Sequence, residues 1–490
     1  MLGFSGIRGI NGLTGTESNS WHGVTYRVSA PATDPMNVDP FHEFEDVVEQ
    51  LCGAGVTYPP GGPYPPINNT GYVANFNEKA VPNAKTAPKN IDDVMRCFHP
   101  SRLHNLNWLA SNFAVCDSWF SSMPGPTWPN RFFAVAASSG GLDKSPDKFE
   151  TALWSSLDGF EFEHGTLFDI GRSLLSPRGK LKWRIYAGHK LFALAHALKG
   201  IHIWDITRYS KFATDVSDPN YPAKFTWIEP HYGSLSDFTG GNSQHPLDPV
   251  GPGEALIKAT YEAIRNSPLW ESSMLIITYD EHGGFYDHVE PPPAIPPGDK
   301  QVVSGANKHG FVFDQYGPRV PTVVVSPLIP PNTVDRRPCD HASIPATVER
   351  LFNLPPLTAR DRAANDLLPL TTLSEPRTDL PPTIPPNPER EFAASDVPLD
   401  ALEQAPPAPD EPDAPVVWHR QLAGFLYVLA RTDAELRRPL YLRPMPDVLV
   451  RRLATPAVLE TVLGINTQGQ LHAYLRNVQD RLFADPRAAQ

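Results

Sequence analysis

Proline occupies 55 of the 490 positions, about twice its average share of a globular chain. Each proline lacks a backbone donor and, inside a helix, collides with the preceding turn, so regular elements must be short and separated by turns. A long-helix or coiled-coil architecture is excluded. A core must still form, because 41% of residues are hydrophobic and 20% charged, the balance of an ordinary globular protein. The length accommodates one large core and an appendage. Lys and Arg number 42 against 54 Asp and Glu, a formal charge of −12. That balance argues against binding nucleic acid or anionic membranes through bulk charge, since both need clustered cations. No apolar run reaches the ~18–20 residues that span a bilayer. Cys52, Cys97, Cys116 and Cys339 are widely spaced with no CxxC pair, which excludes a zinc ribbon and a disulfide scaffold. Either four thiols are free or Cys97 and Cys116 form a bridge. The start, MLGFSGIRGINGLTGTESN, has neither a basic region nor an apolar stretch, so no signal peptide is readable. Location is left open.

Residues 1–370 alternate short apolar runs with helical patterns. Met274–Tyr279 and Val320–Val325 are β-rich and bounded by turn residues, as expected of strands buried on both faces of a parallel sheet. Trp183–Tyr186 is a third candidate. Glu254–Asn266 carries an apolar stripe at helical spacing, and Asp92–Cys97 and Leu103–Ala114 behave similarly. Strands alternating with helices predict an α/β fold, a mainly parallel sheet flanked by helices. Residues 371–415 are proline-rich, acidic and aperiodic, predicting a linker or surface strap. Within 416–490, Val416–Ala430 and Leu471–Phe483 read as amphipathic helices of a small helical C-terminal region.

Chemistry concentrates in two segments. In LIITYDEHGGFYDHVEPPP (Leu275–Pro293), a strand delivers Asp280 and Glu281 at its carboxyl end, where α/β sheets place active sites. Two adjacent carboxylates there need a cation or a proton, and with nearby imidazoles they suit a divalent metal. The Gly283-Gly284 turn and His282, Asp287 and His288 strengthen that reading over a solvated strand end. In FSSMPGPTWPNRFFAVAASSGG, Pro124, Gly125 and Pro126 forbid regular structure and Thr127 falls where a helix begins. Thr127 is therefore either an N-cap or a hydroxyl poised in the positive field of a helix N-terminus. His42, His231 and His245 each lie beside proline or glycine, hence on loops where functional residues concentrate. Asp340-His341 opens a further helix and reads as a cap.

These segments, with INGLTGTESN, DPFHEFEDVVEQLCG, HPLDPVGPGEALI and DHASIPATVERLFNLPPLTARD, resemble in order those of the bacterial phosphoesterases that include nonspecific phospholipases C and an acid phosphatase, relatives of the alkaline phosphatase superfamily. The resemblance implies a phosphoric ester hydrolase acting on phospholipids or other phosphate esters. It matches Thr127 to the nucleophile, Asp280 and Glu281 to ligands of a divalent metal ion, and His42, His231 and His245 to histidines lining the phosphate site. Asn130 and Arg131 follow the nucleophile as in relatives. The implied reaction is a double displacement through a phosphothreonine.

One motif is absent. Members of that family open with an apolar strand and ENRSFDH, whose Glu and Asn supply further metal ligands, and residue 1 here falls within that region. The expectation is an unpaired sheet edge near Asp280, weak metal binding, and a chain that is poorly folded or nearly inactive on its own. The alternatives are a catalytically impaired binding or scaffold protein, an acid phosphatase-type monoesterase, or a sulfatase-like hydrolase on the same fold.

Overall fold

The computed structural model describes residues 1–147, 158–172, 181–233, 239–387, 409, 411–416, 422–437 and 457–485. Two sheets organise it. The first has the order β7-β8-β3-β9, with β3 Ala114–Cys116, β7 Leu275–Thr278, β8 Thr322–Val325 and β9 Thr333–Asp335. β3 and β9 pair parallel, whereas β8 runs antiparallel to both β3 and β7. The Val320–Val325 run is thus buried as its composition predicts, but it opposes its neighbours instead of joining a parallel set. The second sheet, β5-β4-β6, is wholly parallel and contains β4 Trp183–Ala187, β5 Ile206–Arg208 and β6 Phe225–Glu229. A small hairpin joins β1 Ser18–Trp21 to β2 Val24–Arg27. Its loop residues His22 and Gly23 have φ of 48° and 78°, the left-handed pair that a two-residue hairpin turn needs.

β7 pairs only with β8, so among the described residues its other edge is open. Every residue of β7 is half-buried, unlike β8. The helices that matter for the site are α1 Phe44–Cys52, α2 His104–Asn112, α3 Thr127–Ala136, α4 Val250–Arg265, α5 Ser343–Phe352, α6 Leu422–Leu436 and α7 Gln468–Ala484. Asp92–Cys97 makes only a single 3₁₀ turn over Asp93–Met95. The apolar pattern there is real, since Val94 and Met95 are buried, but the turn ends at Arg96, whose backbone is extended.

One apolar core runs through both sheets and into the C-terminal helices, taking in Val323, Ile185, Trp128, Phe425 and Val478. The stripe expected on α7, Leu471, Tyr474, Leu475, Val478 and Leu482, is buried throughout. Of the proline-rich stretch, residues 371–387 lie along the surface as a strap. Leu380 and Ile384 are buried, Arg265 donates to the Leu380 carbonyl at 2.7 Å and Arg377 to the Ile329 carbonyl at 3.3 Å. Residues 388–408 lie outside the described set. All four cysteines are free, so no Cys97–Cys116 bridge forms.

Candidate functional site

The Pro-Gly-Pro turn ends at Pro126, which is the N-cap of α3, and Thr127 is the first helical residue. The sequence allowed Thr127 to be the cap; the fixed φ of proline takes that place instead and sets the hydroxyl at the start of the helix. Asn130 braces the turn from within the helix. Its side-chain nitrogen donates to the carbonyls of Gly125 at 3.0 Å and Pro126 at 3.1 Å, and its oxygen accepts from Met123 N at 3.1 Å.

The acidic pair sits directly after β7. Gly283 and Gly284 have φ of 66° and 74°, and a Cβ on Gly284 would lie 2.6 Å from Pro40 Cβ. Only glycine allows this turn to pack against the loop that carries His42. Asp280 is held from three sides. Its Oδ1 accepts from Glu281 N at 3.0 Å, its Oδ2 from Arg131 Nε at 2.8 Å, and its carbonyl from His341 Nε2 at 2.7 Å. Glu281 accepts from Gly283 N at 2.7 Å, and His282 Nδ1 lies 3.4 Å away. Burial raises the Glu281 pKa, but His42, His282 and that N–H outweigh it and hold the group down at about 2. Asp287 and His288 also line the cavity that holds Asp280 but are paired within its wall. Asp287 forms a two-point pair with Arg319 at 2.7 and 2.8 Å, and His288 bonds Asn11.

Thr127, His245, Asp280 and Glu281 line one cavity of about 220 Å³, together with Arg131 and Tyr232. Residues separated by some 150 positions are thus brought together, as the sequence reading required. The other two histidines are not cavity residues. His42 donates from Nδ1 to the Pro40 carbonyl at 2.8 Å and meets the His245 ring edge-on at 6.2 Å. It acts on the cavity through His245 and Glu281. His231 accepts from Gly233 N at 2.9 Å and packs against His189 at 5.4 Å, because the chain turns so that its neighbour Tyr232 faces the cavity. Burial favours the uncharged ring of His245 and lowers its pKa, although Asp39 opposes the shift.

Two residues matter more than the sequence showed. Arg131 pairs with Asp280 and donates to the Tyr232 hydroxyl, which donates in turn to Glu229 at 2.9 Å. Burial would lower the Arg131 pKa, but Tyr232, Asp280 and Glu229 raise it. Its position four residues after Thr127, on the same helical face, was the available signal. His341 is a brace for Asp280, while Asp340 beside it accepts from Ser122 at 2.8 Å and Arg360 at 3.1 Å.

Two carboxylates and a neutral imidazole are donors that a divalent ion accepts. Among the described residues, however, no three His, Cys, Asp or Glu side chains converge as a ligand set. Asp280 is already paired with Arg131. The described side chains do not assemble a metal site by themselves.

Comparison with known proteins gives a consistent picture. Non-specific phospholipase C6 of Arabidopsis thaliana is 36% identical over 393 residues, 77% of this chain and 69% of that protein. Non-specific phospholipase C3 of the same plant is 32% identical, over 71% of this chain and 65% of its own. Phospholipase C B of Mycobacterium tuberculosis (strain ATCC 25618 / H37Rv) is 30% identical over 53% of each. This chain therefore spans about two thirds of the plant proteins' length and about half of the mycobacterial protein's. A solved structure of a protein in the alkaline phosphatase superfamily from Vibrio parahaemolyticus is 16% identical, with a TM-score of 0.33 over 54% of this chain and 64% of that one. The Phosphoesterase family matches residues 5–355. On that span, which holds every cavity residue named above, this chain belongs to the phosphoesterase family.

Proposed function

We propose that the protein hydrolyses phosphate esters, with phospholipid diesters as the first substrate class and phosphomonoesters as the second. The observation that carries this reading is the shared cavity of Thr127, His245, Asp280 and Glu281, with Arg131 of the same helix ion-paired to Asp280. The names of the plant and mycobacterial relatives favour the lipid diester. A hydroxyl at a helix N-terminus next to a cationic guanidinium suits a phosphoryl group, which carries negative charge on its outer oxygens.

In the proposed reaction, Thr127 Oγ1 attacks phosphorus as neutral His245 takes its proton. The bond to the alcohol oxygen breaks, and the alcohol leaves with the proton returned by His245. Water then attacks the phosphothreonine and gives a proton to His245; the bond between phosphorus and Thr127 Oγ1 breaks, His245 returns the proton to that oxygen, and the phosphorylated product leaves. Arg131 and the α3 N-terminus stabilise the oxygens on which charge builds. The metal implied by the resemblance remains part of the proposal; Asp280 and Glu281 would be its protein oxygens, and no step here runs through it.

A panel of a phosphatidylcholine-type diester, an aryl phosphate monoester and an aryl sulfate tests the proposal. Turnover is expected on the diester first and the monoester second. Preference for the sulfate, or no hydrolysis of any ester, overturns it. The competing reading is a scaffold that binds without turnover, and the same panel decides between them.

A further inference from the structure

Helix α6, described from Leu422, carries a glycine, Gly424, where alanine would ordinarily favour the helix. Its use is explained by what lies opposite: a Cβ on Gly424 would overlap the Trp128 indole, which is completely buried. Trp128 immediately follows Thr127. The next residue of α6, Phe425, is equally buried and packs on Trp128 at 6.3 Å and on Tyr232 at 5.2 Å between ring centroids. Tyr232 in turn accepts from Arg131, the partner of Asp280. The helix is itself anchored to the loop before β5. Arg431 donates to the carbonyls of Leu198 at 2.9 Å and Ile201 at 3.1 Å, and Glu435 accepts from Ile203 N at 2.8 Å.

We infer that α6 is a positioning element of the site, with Gly424 setting Trp128 and Thr127, and Phe425 setting Tyr232 and Arg131. The C-terminal helix thereby fixes both the proposed nucleophile and the cation that holds Asp280. Neither residue touches the reacting atoms. The inference rests on the esterase reading above.

The test uses the full chain and counts active sites by the burst of alcohol release, so that loss of folded protein is separated from loss of rate. Gly424→Ala must push the indole, and kcat per active site is expected to fall by about 10- to 100-fold, the effect of a displacement near 1 Å. KM should stay within about threefold, the mark of a defect felt in the transition state. Adding Trp128→Phe to that variant makes room for the new methyl group and should recover most of the rate. Leu475→Ala, which truncates α7 in the same core, should lower thermal stability while leaving kcat per active site unchanged. If Gly424→Ala keeps its rate, or loses it without rescue by the smaller ring, the positioning role is wrong although the esterase reading survives. A wild-type chain inert toward every phosphate ester overturns both.

Discussion

Thr127 and the Asp280–Glu281 pair reach one cavity on opposite kinds of support. The threonine stands on a helix packed by fully buried apolar side chains, Met123, Trp128 and Phe133, with Asn130 as its main polar brace. The acidic pair leaves a half-buried edge strand and is held by directed polar contacts from Arg131, His341 and the Gly283 N–H. Close packing fixes a position by volume and is indifferent to pH and salt. Hydrogen bonds in a buried site fix orientation and charge, and one lost partner leaves the other unsatisfied. Substitutions on the two sides should therefore fail differently.

The largest effect is expected at the proposed nucleophile. Thr127→Ala should lower kcat by about 10⁴-fold or more, as loss of a nucleophile does in other covalent catalysts. Circular dichroism should show an intact fold, because the packing behind the residue is untouched. On the acidic side, Asp280→Asn should cost about 10²- to 10³-fold in kcat/KM, a loss of site electrostatics that also unpairs Arg131. Equal losses of stability in both variants, seen in thermal melts, would erase the distinction between the two supports.

His341→Ala sharpens the comparison, since it removes only the brace on the Asp280 carbonyl. A fall of about tenfold in kcat is expected from the resulting misplacement, and His341→Gln, which keeps a donor, should recover part of it. An unchanged rate would mean that the turn after β7 holds Asp280 unaided.

The smallest effect lies away from the cavity. Burial, with Asp361 alongside, pushes the carboxyl of Glu349 up to about 10. The folded chain then keeps a proton that the unfolded chain has released, so stability is full below the ordinary glutamate range and is lost as pH rises toward 10. Melting temperature should decline from pH 5 to 9. Glu349→Gln, which cannot ionise, should flatten that decline without altering turnover.

The sequence disclosed the two halves of the site because each is local. A Pro-Gly-Pro stop before a helix marks Thr127, and a strand followed by Asp-Glu and Gly-Gly marks the acidic pair. It did not disclose what joins them. Arg131 has no assigned role in the sequence until Asp280, 149 positions away, is beside it, and His341 reads as a cap until Asp280 is found against it. Strand direction was hidden for a related reason: Val320–Val325 is equally apolar whichever way it runs, and only its pairing with β3 and β7 shows that it is antiparallel. The three histidines are legible as loop residues, but their distances from the cavity are not. His245 lines the cavity, whereas one peptide turn sends Tyr232 inward and His231 behind it.

The central claim is that Thr127 carries the phosphoryl group between the two displacements. Mixing the protein with a phosphodiester, quenching in acid within the first turnover and mapping the peptides by mass spectrometry tests it most directly. Phosphate is expected on Thr127 in the wild type and none in Thr127→Ala. Turnover with no phosphorylated threonine, or phosphate on another residue, would contradict it.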